Sequence, residues 1–137
     1  MSAADERAAL VRRFYESFNT QDLDAFVAGL HPEVELQTQR GPREGRDEAR
    51  SWATKARHGA LDQRLVLEEV VSDGRGTHVV ALYRKQWWWR HSDEFAHEDE
   101  MAALFTFRAG LIARWQPFTD RAEALRLLDE LAARLRP

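Results

Sequence analysis

The chain has 137 residues, one domain's worth, and a formal net charge of −3. Its 20 basic against 23 acidic residues argue against a binder of nucleic-acid phosphates, which carries a basic excess. Hydrophobic residues at 44% and charged residues at 31% are globular proportions, and the lack of cysteine excludes disulfides, thiolate metal sites and cysteine nucleophiles.

A first helix is expected from Asp5 to Asn19, where Leu10, Val11, Phe14 and Phe18 recur on one face with Tyr15 beside them. Thr20 or Asp22 can cap a second, shorter helix whose stripe is Leu23, Phe26, Val27 and Leu30, ended by Gly29 and Pro32. Glu33 to Gln39 alternates as a strand, and Arg40 to Gly45, with two glycines and a proline, reads as a loop. Asp47 can cap a third helix with Ala49, Trp52, Ala53 and Ala56 on its buried face and Gly59 as its stop.

The second half changes character. Leu65 to Val71, Thr77 to Arg90, Phe95 to Arg108 and Leu111 to Phe118 are rich in branched and aromatic residues and are separated by short polar turns. A last helix starts at Asp120, with Glu123 completing a capping-box pattern and Leu125, Leu128, Ala132 and Leu135 as its face. Helices first and strands after, without strand–helix–strand alternation there, imply an α+β fold with an antiparallel sheet. The opening MSAADERAALVRR has no apolar run before a cleavage site, and no stretch approaches the roughly 18 apolar residues of a membrane span. A soluble cytoplasmic protein without a membrane or nucleic-acid partner is therefore expected.

The two longest strands flank His91 to Glu94. If Ser92 and Asp93 form a two-residue turn, Lys85 lies across from Glu100, Gln86 from Asp99, Arg84 from Met101, Trp88 from His97 and Val80 from Phe105. One face then runs from apolar Val80 and Phe105 to polar Arg84, Gln86, His97 and Asp99, with Trp88 among them, as the wall of a ligand cavity would. Trp87 and Trp89 fall on the opposite face, where a partner subunit or crossing strands could cover them. A one-residue slip would undo this assignment.

Two strings carry a family likeness. HPEVELQTQRGPREGRDEARSW resembles the strand, loop and helix of SnoaL-like proteins, and LFTFRAGLIARWQPFTDRAEAL resembles their last two strands. The likeness covers nearly the whole chain, taken as one domain over residues 1–137, and points to the SnoaL-like branch of the nuclear transport factor 2-like superfamily. It implies a cone-shaped, cystatin-like α+β barrel: a curved antiparallel sheet wrapped around N-terminal helices, with one pocket and a homodimer across the sheet. Relatives include ketosteroid isomerases, polyketide cyclases, epoxide hydrolases and proteins without known activity, so fold alone does not fix function. The resemblance places Thr38 where ketosteroid isomerases hold their base, and Phe14, next to Tyr15, where they hold a tyrosine. Gln86 and Trp88 fall where the epoxide hydrolases have an arginine and an aspartate, and Pro117 where a late acid stands. None of these catalytic sets is intact.

His97 and Asp99, two apart on a strand, point the same way and could act as an acid–base pair. Arg84 could hold an anion or neutralise Asp99. His31, His58 and His78 sit at element ends as ordinary loop or cap residues. His91 and His97 lack a third ligand at a sensible spacing, so no metal or cofactor is expected. The candidate ligand-binding set is Tyr15, Phe18, Thr38, Trp52, Arg84, Gln86, Trp88, Met101, Phe105 and Trp115, facing a compact, largely apolar or aromatic molecule. Three readings stay open: an isomerase, cyclase or hydratase using His97 and Asp99; a non-catalytic ligand binder; and a dimeric interaction module.

Overall fold

The computed structural model of the chain describes residues 2–54 and 60–134. Ala56, His58, Gly59 and Leu135, which the sequence placed in helix faces or caps, lie outside them. Helix α1 (Ala3–Thr20) is followed by α2 (Leu23–Ala28), β1 (Leu30–Thr38), β2 (Gly41–Glu44), α3 (Arg46–Ala53), β3 (Leu61–Ser72), β4 (His78–Trp89), β5 (Glu94–Arg108), β6 (Leu111–Phe118) and α4 (Arg121–Arg134). The strands form one curved sheet in the order β2-β1-β6-β5-β4-β3. It is not closed into the barrel the family likeness suggested. Nor is it wholly antiparallel, because β1 runs parallel to β6.

Local chemistry explains the helix ends. Ser2 caps α1 in a reciprocal box: its hydroxyl accepts from the Asp5 amide at 3.1 Å and the Asp5 carboxylate accepts from the Ser2 amide at 3.3 Å. Asp22 caps α2 by accepting from Ala25. Helix α3 starts instead from Gly45, without a side-chain cap, so Asp47 lies inside the first turn, where its charge favours the helix dipole. Asp120 accepts from the Ala122 amide at the start of α4. The β3–β4 turn is held by Asp73, whose carboxylate accepts from the amides of Arg75, Gly76 and His78.

The loop expected at Arg40 to Gly45 contains the short edge strand β2, in which Leu36 pairs with Arg43 and Thr38 with Gly41. The long hairpin also departs from expectation. Its turn spans residues 90–93, with Asp93 in the left-handed region at φ 52°, so Trp89 pairs with Glu94. A bulge past Trp87 then absorbs one residue, and Trp87 faces His97. The net slip is one residue: Lys85 lies across from Asp99 rather than Glu100, Gln86 from Glu98 rather than Asp99, and Val80 from Leu104 rather than Phe105.

That slip sorts the side chains onto two faces. Val79, Ala81, Tyr83 and Phe105 face inward and pack with Phe14, Tyr15 and Phe18 of α1, Phe26 of α2 and Trp115 of β6 in the main core. Val80, Leu82, Ala102 and Leu104 face outward into a second, smaller core closed by Ala124 and Leu128 of α4. The main core is mostly aromatic at its centre. Phe14 lies edge-on to Tyr15 and Phe105 at 5.3 and 5.2 Å between centroids, and tilted against Phe26 at 4.9 Å.

Candidate functional site: an aromatic cavity at the open end of the core

The core is unfilled toward the β4–β5 turn. A cavity of about 550 Å³ opens there, lined by Phe18 of α1, Trp52 of α3, Thr38 at the end of β1, Leu65 of β3, Tyr83, Lys85 and Trp87 of β4, Met101 of β5, and Trp115 and Pro117 of β6. At this end Phe18 of α1 and Trp52 of α3 bring aromatic rings to the cavity wall beside Trp115 of the sheet. Trp52 lies 5.1 Å from Trp115 and 5.4 Å from Phe18, centroid to centroid, making a continuous aromatic wall.

Of the sequence-derived binding residues, Phe18, Thr38, Trp52, Met101 and Trp115 are brought together here. Tyr15 and Phe105 are not: both are fully packed in the core behind the cavity. The Tyr15 hydroxyl accepts from the indole N–H of Trp115 at 3.4 Å, and burial pushes its phenol well above the ordinary range. Tyr15 therefore backs the tryptophan wall and does not line this cavity.

Arg84, Gln86 and Trp88 face the other way, because the hairpin register differs by one residue from that of a two-residue turn. On the outer face Arg84 bridges Glu68 at 3.1 Å, Glu98 at 2.9 Å and Glu100 at 3.2 Å. Gln86 donates to Glu98 at 3.0 Å and accepts from the Trp88 indole at 3.1 Å, while the Arg64 guanidinium stacks 4.4 Å above the Trp88 ring. The expected polar wall is thus divided: Arg84 and Gln86 outside, His97 and Asp99 on the inner face.

The Arg84 cluster has a consequence for pH. A hydrogen bond from Arg121, then one from Arg84, holds Glu68 below the usual carboxylate range, and Gln86 followed by Arg84 does the same for Glu98. Carboxylates depressed in the folded state stabilise it above their unfolded pKa, and lose that contribution as pH falls through the folded values. Arg84→Met is therefore expected to be less stable than the parent at neutral pH. The gap should narrow in acid, below the ordinary glutamate range, as urea melts at pH 7 and about pH 3 would read. A gap unchanged by acid would assign the loss to packing of the arginine stem instead.

Lys85 and Trp87, assigned from sequence to the outer face, are inward. Lys85 is half-buried on the cavity wall with its ammonium 5.0 Å from the Trp87 ring centroid, and burial lowers its pKa from the ordinary lysine value against the opposing pull of Asp99. His97 Nε2 lies 2.8 Å from Asp99 Oδ1, so the suspected pair is formed, but both side chains are largely exposed beyond the cavity wall. Sequence parity could have identified Lys85 only with the turn length known.

Residues 11–115 match the SnoaL-like domain. The chain belongs to the SnoaL-like family. A protein assigned as a polyketide cyclase from Xanthomonas campestris pv. campestris superposes with a TM-score of 0.71 at 23% identity, over 93% of this chain and 99% of that one. An LEH-like epoxide hydrolase of M. tuberculosis gives 0.68 at 14% identity, over 92% and 91%. An NTF2-like protein of unknown function from Burkholderia pseudomallei gives 0.68 at 24% identity, over 93% and 98%. These identities show a shared SnoaL-like cone and do not extend to chemistry. No curated protein matches the chain in sequence.

Within that cone, the positions that the family likeness singled out are placed as follows. Thr38 donates its hydroxyl proton to the Gly41 carbonyl at 2.6 Å, Pro117 offers no acid, and Gln86 and Trp88 lie on the outer face. No helix of the described residues is long and apolar enough to cross a membrane.

Proposed function

We propose that this SnoaL-like protein binds a compact, largely aromatic small molecule in the cavity between α1, α3 and the inner face of the sheet. The observation that carries this reading is the opening of about 550 Å³ walled by Phe18, Trp52, Trp87 and Trp115, a size and lining suited to one small ligand. The names of its structural neighbours, a polyketide cyclase and an epoxide hydrolase, agree with a ligand of this kind. The 2.8 Å contact of His97 with Asp99, on the same sheet face as Lys85 but outside the cavity lining, favours a second reading: acid–base isomerisation, cyclisation or (de)hydration of a molecule that extends past Lys85. We also propose a homodimer through the outer sheet face beyond α4, where Val66 and Phe95 are exposed beside Trp88. Sedimentation at micromolar concentration reads that assembly.

The ligand reading is tested with a neutral aromatic probe, 1-naphthalenemethanol, by calorimetry. Trp52→Ala should weaken binding about tenfold or more through lost apolar contact, whereas Trp88→Ala, on the outer face, should leave it unchanged. Equal effects of the two changes, or no binding to the parent protein, would remove the cavity as the site. Should a turnover be found, His97→Gln and Asp99→Asn should lower kcat more than affinity.

A further inference from the structure

The charges around the cavity are lopsided. Among the described residues, four cations, Arg40, Arg43, Lys85 and Arg90, and one carboxylate, Asp62, line it, in a chain whose overall charge is −3. The four cations are not equivalent. Arg43 is tied to Glu48 at 3.0 Å, Arg90 reaches the Leu61 carbonyl at the hairpin end, and Arg40 sits exposed on the β1–β2 turn. Lys85 stands on the inner face of β4, between β5 and the edge strand β3, half-buried among Trp87, Leu65, Tyr83 and Met101.

No hydrogen bond or ion pair to Lys85 forms among the described residues. The carboxylate across from it in the register, Asp99, is engaged with His97 at 2.8 Å. The Lys85 ammonium lies over the face of the Trp87 ring, 5.0 Å from its centroid. A half-buried ammonium without an acceptor is costly, and a strong acceptor in the cavity would offset that cost.

We propose that the occupant of this cavity is an aromatic carboxylate, its ring held between Trp52, Trp87 and Trp115 and its carboxylate received by Lys85. The assignment rests on the ligand reading above and adds its charge. Three features converge on it. The aromatic walls select a flat apolar body, Lys85, which has no hydrogen bond or ion pair among the described residues and feels only the pull of Asp99, supplies one cation at the wall, and the arginines of the mouth favour approach of an anion and oppose a cation. Burial already biases the Lys85 ammonium toward losing its proton, and an incoming carboxylate would reverse that bias.

The experiment compares three probes of one shape in the full-length protein by calorimetry: 1-naphthoate, 1-naphthalenemethanol and 1-naphthylmethylammonium. Each is titrated into the parent, Lys85→Met and Lys85→Arg. Methionine keeps most of the apolar stem, and a melting curve for each variant reads its folding independently. The expected result is that naphthoate binds the parent at least tenfold more tightly than the alcohol. Lys85→Met should erase that preference while leaving the alcohol within about twofold, and Lys85→Arg should retain a preference for the anion. A preference for naphthoate of the same size in Lys85→Met would overturn the role of Lys85. Tighter binding of the ammonium or the alcohol than of naphthoate by the parent would overturn the anionic class while leaving the cavity as a ligand site. Failure of all three to bind would overturn both this assignment and the ligand reading beneath it.

Discussion

Phe14→Ala is expected to cost about 3–5 kcal/mol of stability, the range for truncating a fully buried aromatic ring. Phe14 is 2% exposed and contacts four other rings: Tyr15, Phe26, Phe105 and Trp115. These neighbours belong to three different layers, α1 and α2 and the sheet, so none can move to fill the space without giving up its own packing. A guanidinium melt should show a lower midpoint at nearly unchanged slope. Trp115→Ala makes a useful contrast. It removes a larger ring, but one that borders the open cavity, so the vacated space joins an existing opening that water can enter. If Phe14→Ala instead costs under about 1 kcal/mol, the aromatic centre is not the close-packed nucleus of the core.

Arg121→Met is expected to cost about 2–3 kcal/mol, because one guanidinium satisfies acceptors from three strand segments. It donates to the Met101 carbonyl at 3.0 Å, to the Tyr83 carbonyl at 2.8 Å and to Glu68. The geometry has a cause in the sheet. A bulge between Leu67 and Glu69 interrupts the β3–β4 ladder beside Tyr83, and β6 ends at Phe118, opposite Ala102, so Met101 lies just past the last β6 pair. Arg121, at the first turn of α4, closes both gaps and pins the helix to the sheet. Lysine at this position should recover little, since an ammonium cannot direct parallel donors to two carbonyls. Thermal unfolding of Arg121→Met, Arg121→Lys and the parent measures this. A lysine variant as stable as the parent would mean that charge alone matters. Because Tyr83 and Met101 line the cavity, the same variants should also weaken ligand binding.

How much of this was legible in the sequence depends on how far each inference reached. Face assignments within one element were readable. Val11, Phe14 and Phe18 recur on one side of a helix, and Trp52 sits on the apolar stripe of the next long helical segment, so local periodicity points them inward. His97 and Asp99 share a face for the same local reason. Relations between strands were less readable, since they rest on a turn. Ser92-Asp93 carries no strong signal for a two-residue turn. A four-residue turn and a bulge together moved the register by one, enough to bring Lys85 and Trp87 inside and to put Arg84, Gln86 and Trp88 outside. The strand Gly41–Glu44 was hidden by composition: glycine, proline, arginine and glutamate are poor strand formers, and pairing with β1 supplies what propensity lacks. The Arg121 bridge was not readable at all, since it depends on where one ladder bulges and another stops.

The early end of β6 has another consequence. From Glu94 to Met101 the longest strand is flanked by β4 on one side and by no neighbouring strand on the other, among the described residues. A half-bare strand of that length can recruit a stray strand from another molecule and seed insoluble assemblies. Here it carries Glu94, Glu98, Asp99 and Glu100 within seven residues, so an intruding copy would bring the same negative charges alongside. These acids would thus oppose pairing along the bare edge of the strand, and all four stand outside the cavity lining. Neutralising Glu94, Glu98 and Glu100 would trade solubility for self-recruitment, whereas neutralising Asp99 would also remove its pull on Lys85.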